Sequence, residues 1–161
     1  MKKVPLRSVI LLVISVGVSL LSGIIGSLFT QPNITVWYAT LNKPAFTPPD
    51  RIFAPVWIML YILMGISLFL VIQEYRDNPF VGQGVAVFAV QLVLNVLWSI
   101  VFFGMHAIFA GLVIILLLAA SIAATMYLFR RISWTATWLL VPYICWVSFA
   151  AVLNAMILIL N

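Results

Sequence analysis

The chain has 161 residues, of which 66% are hydrophobic and only 7% charged, with a formal net charge of +5. Soluble globular domains are nearer half apolar and a quarter charged, so the composition excludes a water-soluble fold and points to an integral, multi-pass membrane protein. The basic excess is split among short connections and forms no basic stripe, which argues against nucleic acid and leaves membrane lipid as the first partner.

A helix needs about 20 apolar residues to cross the hydrocarbon core. Five segments reach that length: 9–29, 53–73, 85–103, 107–129 and 138–160. They are continuously apolar and do not alternate with period two, which excludes a transmembrane barrel. The expected fold is an all-α, five-helix membrane bundle forming one domain over 1–161, with a long, partly structured loop at 30–52 between the first two helices.

The first segment follows a basic start, Lys2, Lys3 and Arg7, as a signal peptide would. The apolar run is longer than a usual signal core and no A-x-A pattern follows, so it is expected to stay as the first helix. The next stretch, "WYATLNKPAFTPPDRIFAPVW" (Trp37 to Trp57), holds two tryptophans, one tyrosine, two phenylalanines and four prolines. That content is unusual for a plain connection. Later turns are short: "RDNPF" carries the breaker Pro79, "GMHA" surrounds His106, and "RRIS" ends the fourth helix with cations at its negative end. Lys2, Lys3, Arg7, Arg76, Arg130 and Arg131 fall on one side of the membrane, and Lys43 and Arg51 on the other. Positive residues collect inside, so the N-terminus is expected to be cytoplasmic.

Most catalytic chemistry lacks its residues. The acids Asp50, Glu74 and Asp77 all lie in connections, Asp50 across the membrane from the other two, so no carboxylate pair can form. One histidine, His106, and one cysteine, Cys145, supply neither a metal site nor a Cys-His nucleophile. The spans carry no mid-depth charge of the kind that marks ion and proton pathways.

The polar content of the spans is uncharged and aromatic. Gln91, Asn95, Trp98, Ser99 and Phe102 share one face of the third helix, at offsets of four, seven, eight and eleven. The second helix places Trp57, Tyr61 and Gly65 at steps of four, and the fifth repeats that step through Trp138, Pro142, Trp146, Ala150 and Asn154. Two readings are open. The stripes are interhelical packing, with amides bonding across the bundle, or they wall a cavity for a flat apolar ligand oriented by Asn95 and Gln91.

Taken together, "WYATLNKPAFTPP...FAPVW", "QLVLNVLWS...FFG" and "WLLVPYICWVSFAAVLN" resemble the translocator protein family (TspO/MBR), also called peripheral-type benzodiazepine receptors or tryptophan-rich sensory proteins. The likeness runs from the first loop to the end of the chain. It implies a commonly dimeric receptor or sensor that binds tetrapyrroles such as protoporphyrin IX and haem as ligands, with no cofactor required, in a pocket closed by the first loop as a lid. A porphyrin transporter and a light-dependent porphyrin-degrading enzyme are the alternatives it carries. By motif position it implies ligand-site roles for Trp57, Asn95, Trp98 and Trp146, with Ala150 and Leu153 beside them. Trp37, Tyr61, Gln91 and Ser99 complete the candidate ligand set. Trp57 and Trp146 are the photochemical candidates, and no metal ligands are expected. The sterol-recognition pattern needs an aromatic and then a basic residue, and "AAVLNAMILILN" supplies neither. The short loops suit a bacterial member in the cell membrane.

Overall fold

The computed structural model describes residues 5–75 and 78–161. Lys2, Lys3, Arg76 and Asp77, which entered the charge and topology reading, lie outside the described residues. Among the described residues every regular element is helical: α1 (Leu6–Ile34), α2 (Asp50–Gln73), α3 (Val81–Ser99), α4 (Ile108–Arg130), α5 (Trp134–Leu139) and α6 (Val141–Leu160). Five spans result, because α3 continues as a π-helical turn over Ile100–Gly104 and α5 with α6 forms one span, Trp134–Leu160.

Several boundaries differ from those read from hydropathy. The first helix runs on to Ile34 through Pro32, so less of 30–52 is loop than expected. Polar side chains sustain this last stretch: Thr30 Oγ1 donates to the Gly26 carbonyl and Asn33 Nδ2 to the Phe29 carbonyl. The fifth span starts earlier, where Ser133 caps α5 by accepting from the Ala136 amide. It is interrupted at Leu140, just before Pro142, whose ring has no N–H and crowds the preceding turn.

The spans close a ring. α1 packs on α2 and α3, α3 on α4, α4 on α6, and α2 meets the fifth span mainly through α5. α1 is unusual in that its buried residues are Ser15, Ser19, Ser22 and Gly26, while its aliphatic side chains face outward. In lipid this is the expected sign of a packed face, since small residues let backbones approach closely. Ser19 and Ser22 return their hydroxyls to carbonyls of their own helix, which satisfies both groups at the contact. A Cβ on Gly65 of α2 would run into the backbone of Val16, and one on Gly23 of α1 into the Tyr61 ring. These two glycines set how near α1 lies to α2.

Residues 35–49 cross one end of the ring as a strap. Its 3-10 turn, Tyr38–Thr40, buries Tyr38. Trp37 stacks on His106 of the α3–α4 connection (ring centroids 4.5 Å) and sets its edge against Phe102 (5.4 Å). His106 adopts a positive φ of 56° and shares a 2.9 Å hydrogen bond with Asn33 Oδ1. Farther along, the Asn42 amide donates to Asn161 Oδ1 (3.0 Å), and Asn161 Nδ2 donates back to the Asn42 carbonyl (3.0 Å). The strap is thus clasped to α1, to the α3–α4 turn and to the end of α6.

Candidate functional site

Beneath the strap, α1, α2 and α3 enclose a cavity of about 540 Å³, within the roughly 300–1,000 Å³ typical of small-molecule sites. Three kinds of surface meet in it. α2 contributes Phe53, Trp57 and Tyr61; α3 contributes Asn95, Trp98 and Ser99, with Phe103 from the π-helical turn; α1 contributes small residues, among them Gly23, Gly26 and Ser27. The α1 wall also carries Leu20, Ile24 and Ile34, and it packs closely on α3 at Gly26, where a Cβ would stand only 3.0 Å from Ser99 Oγ.

The aromatic wall is a connected stack. Trp57 lies over Tyr61 (5.6 Å, 27° between planes) and near Trp98 (6.4 Å), with its edge toward Tyr143. Trp98 in turn stacks on Phe102 (5.4 Å, 13°). Its indole N–H donates to Asn154 Oδ1 (3.4 Å), and Asn154 Nδ2 donates to the Ile108 carbonyl (3.0 Å). Such offset and edgewise contacts fix ring planes, so Trp98 is held from behind by α6 and α4.

Asn95 forms the polar floor. Tyr61 donates its hydroxyl to Asn95 Oδ1 at 2.6 Å, and Asn95 Nδ2 donates to Tyr143 Oη at 2.9 Å. One amide therefore ties α2, α3 and α6 together. It keeps a second lone pair and a second N–H for other partners. At the other end, Thr30, Gln31, Thr35, Asp50 and Arg51 make the rim polar. Burial first, and then the charge of Asp50, push the Tyr38 phenol up to about 12, so the strap tyrosine is neutral at ordinary pH.

Of the residues singled out from sequence, Trp57, Tyr61, Asn95, Trp98 and Ser99 share the cavity wall. Ala150 and Leu153 face a separate void of about 20 Å³ across a partition that includes Phe53, Trp98 and Phe103. Trp146 stands behind the wall, edge-on to Phe53 at 5.9 Å, with no hydrogen-bond partner for its indole N–H among the described residues. Trp37 belongs to the strap's clasp and does not line the cavity. Gln91 is fully buried below Asn95, and neither atom of its amide has a partner among the described residues. Trp138 is 66% exposed and Pro142 is exposed too, so the fifth-helix stripe is half-buried at Trp146 and buried only at Ala150 and Asn154. Sequence reasoning missed the α1 wall and the rim residue Arg51. The available signal was the Ser15, Ser19, Ser22, Gly26 spacing of four, three and four on an otherwise aliphatic helix.

Among the described residues no cluster of three or more His, Cys, Asp or Glu could hold a metal ion. A five-span membrane bundle with a strapped, aromatic, ligand-sized cavity is the class of protein these features define. Residues 15–160 match the TspO/MBR family. The chain is 46% identical over 155 residues to "Tryptophan-rich protein TspO" of Chlorobaculum tepidum, covering 96% of this chain and 98% of that one. It is 40% identical to the protein of the same name from Archaeoglobus fulgidus (96% and 99% covered) and 36% identical to "Translocator protein" of Bos taurus (83% and 80% covered). The chain belongs to the TspO/MBR family.

Proposed function

We propose that this chain is a membrane receptor and sensor that takes a tetrapyrrole, such as protoporphyrin IX or haem, into the cavity between α1, α2 and α3. The observation that carries the reading is the cavity itself: a ligand-sized space whose wall is the Trp57–Tyr61–Trp98 stack, floored by an amide with hydrogen-bonding capacity to spare. A flat aromatic ligand gains stacking on such a wall, and the strap adds the Tyr38 ring to the lining. Relatives named "Tryptophan-rich sensory protein", from Cereibacter sphaeroides, and "Translocator protein" support a ligand-responsive role. On this reading the protein resides in a bacterial cell membrane with a cytoplasmic N-terminus. Two copies pair through the exposed Gly82–Ala86 edge of α3.

The test is quenching of tryptophan fluorescence by protoporphyrin IX in the dark, for the native chain and for Trp57→Phe. Saturable quenching with weaker binding by the variant supports the reading. Nonsaturable quenching identical in both proteins overturns it.

A further inference from the structure

The cavity has two chemically different ends, and the difference specifies its ligand further. Its depth is aromatic with neutral amide and hydroxyl groups, whereas its rim carries charge. We infer that Arg51, at the rim of the α1–α2 side, is the specificity-determining residue that receives a carboxylate of the bound ring. This inference rests on the tetrapyrrole reading above and deepens it: the ligand is an acid-bearing ring, held by its face inside and by its acid at the membrane surface.

Placement carries the assignment. Arg51 is the second residue of α2 and lines the cavity in register with Ala54 and Ile58, three and seven residues on. At about 1.5 Å per residue, its Cα stands about 9 Å above that of Trp57 along the helix. A ring stacked on Trp57 therefore carries its substituents to the charged rim, where Arg51 is the cation that lines the cavity, about 120° round the helix from Trp57. The position is at the end of a span, where a carboxylate can stay near water while the ring is in lipid-like surroundings. Arginine suits the task, because its planar fork matches both oxygens of a carboxylate.

The neighbouring charges are already placed. Lys43 Nζ donates to the Tyr38 carbonyl (3.0 Å) and sits over the Tyr38 ring (4.4 Å), and it does not itself line the cavity. Asp50 lies in the first turn of α2, where the helix dipole favours an anion, and in register with Ala54, Trp57 and Tyr61. Arg51 follows about 100° round the helix and lines the same cavity as Ser27 and Gln31 of α1.

The experiment compares protoporphyrin IX with its dimethyl ester, which keeps the ring and lacks the acids. Dark quenching titrations are run on the native protein, Arg51→Gln and Lys43→Gln in neutral detergent at low and high salt. The native chain and Lys43→Gln are expected to prefer the diacid by about tenfold, a preference reduced by salt. Arg51→Gln is expected to bind both ligands alike, at the native affinity for the ester. Equal binding of diacid and ester by the native protein overturns the assignment and leaves the cavity reading standing, as does a preference that survives in Arg51→Gln. Loss of both ligands in Arg51→Gln makes Arg51 a structural residue and also overturns it. Binding of neither ligand by the native protein removes the tetrapyrrole reading and this inference together.

Discussion

Asn95→Leu isolates the polar junction at the floor of the cavity. Leucine is close to asparagine in size, so the change removes the amide without opening a large void. It takes the acceptor from the Tyr61 hydroxyl and the donor from Tyr143, both buried at the meeting of α2, α3 and α6. Interhelical hydrogen bonds in membranes average about 0.6 kcal/mol and reach about 1.7, and the two orphaned hydroxyls carry a further desolvation cost. The expected loss is about 1–3 kcal/mol in the absence of any ligand. At about 2–4 °C per kcal/mol for a chain of this size, the unfolding temperature in detergent falls by about 2–12 °C. A double-mutant cycle with Tyr61→Phe should return a coupling of about 0.5–1.5 kcal/mol, because the two residues share one bond. An Asn95→Leu protein as stable as the native one, or a coupling indistinguishable from zero, would refute the argument that this amide joins three helices.

Gln91 is expected to behave in the opposite way. Its amide is buried without a partner, so Gln91→Met should raise thermal stability by about 1 kcal/mol with porphyrin affinity unchanged; a fall in affinity would place Gln91 in the ligand site after all. Gly65→Ala pushes a methyl into the Val16 backbone, and a loss of about 1–3 kcal/mol with weakened quenching should follow; native stability would mean that α1 moves aside freely. Under irradiation, Trp57→Phe should slow porphyrin loss more than Trp146→Phe, since Trp57 lines the cavity and Trp146 stands behind Phe53; the reverse order in absorbance decay would reject that geometry. The Tyr38 phenol is raised from 10.0 to about 12 in the folded chain, so its contribution is complete below pH 10 and is lost as pH rises through 12. Tyr38→Phe should accordingly flatten the decline of unfolding temperature across that window, and an unchanged decline would show that Tyr38 is not its source.

The spans were legible because length and hydropathy are one-dimensional quantities, and the bilayer makes both diagnostic. The inward face of α3 was legible for a related reason. Gln91, Asn95, Trp98, Ser99 and Phe102 are all buried, as an uncharged polar stripe in lipid must be. Periodicity failed where a step of four was carried over a whole span. In the Trp138 to Asn154 series each step of four turns about 40° past a full helical turn, so Trp138 and Pro142 face outward while Ala150 and Asn154 face in. It also could not separate Gln91 from Asn95. They share a face one turn apart, and only the level of Asn95 coincides with tyrosines from two other helices.

The α1 wall was hidden for a different reason, and it bears on how the cavity works. Gly23 and Gly26 let the Tyr61 ring and Ser99 lie close against α1, and absence of a side chain gives no aromatic or amide signal. The outcome is an asymmetric site. α2 and α3 present rings fixed by stacking and by the hydrogen bonds through Asn95 and Asn154, whereas α1 presents small residues with Leu20, Ile24 and Ile34 and no aromatic ring between them. A ring held against the α2–α3 wall is therefore oriented by fixed groups, and α1 is the side on which a larger or smaller ring can be accommodated by small residues. Enlarging Gly26 should then discriminate by ligand size, since its added methyl meets Ser99 across the cavity wall. Gly26→Ala is expected to weaken protoporphyrin IX binding in the dark while leaving the Asn95 junction, and hence the unfolding temperature of the empty protein, near the native value. A loss of stability equal to that of Asn95→Leu, with no change in affinity, would instead make α1 a packing partner only and place ligand selection wholly on α2, α3 and the strap.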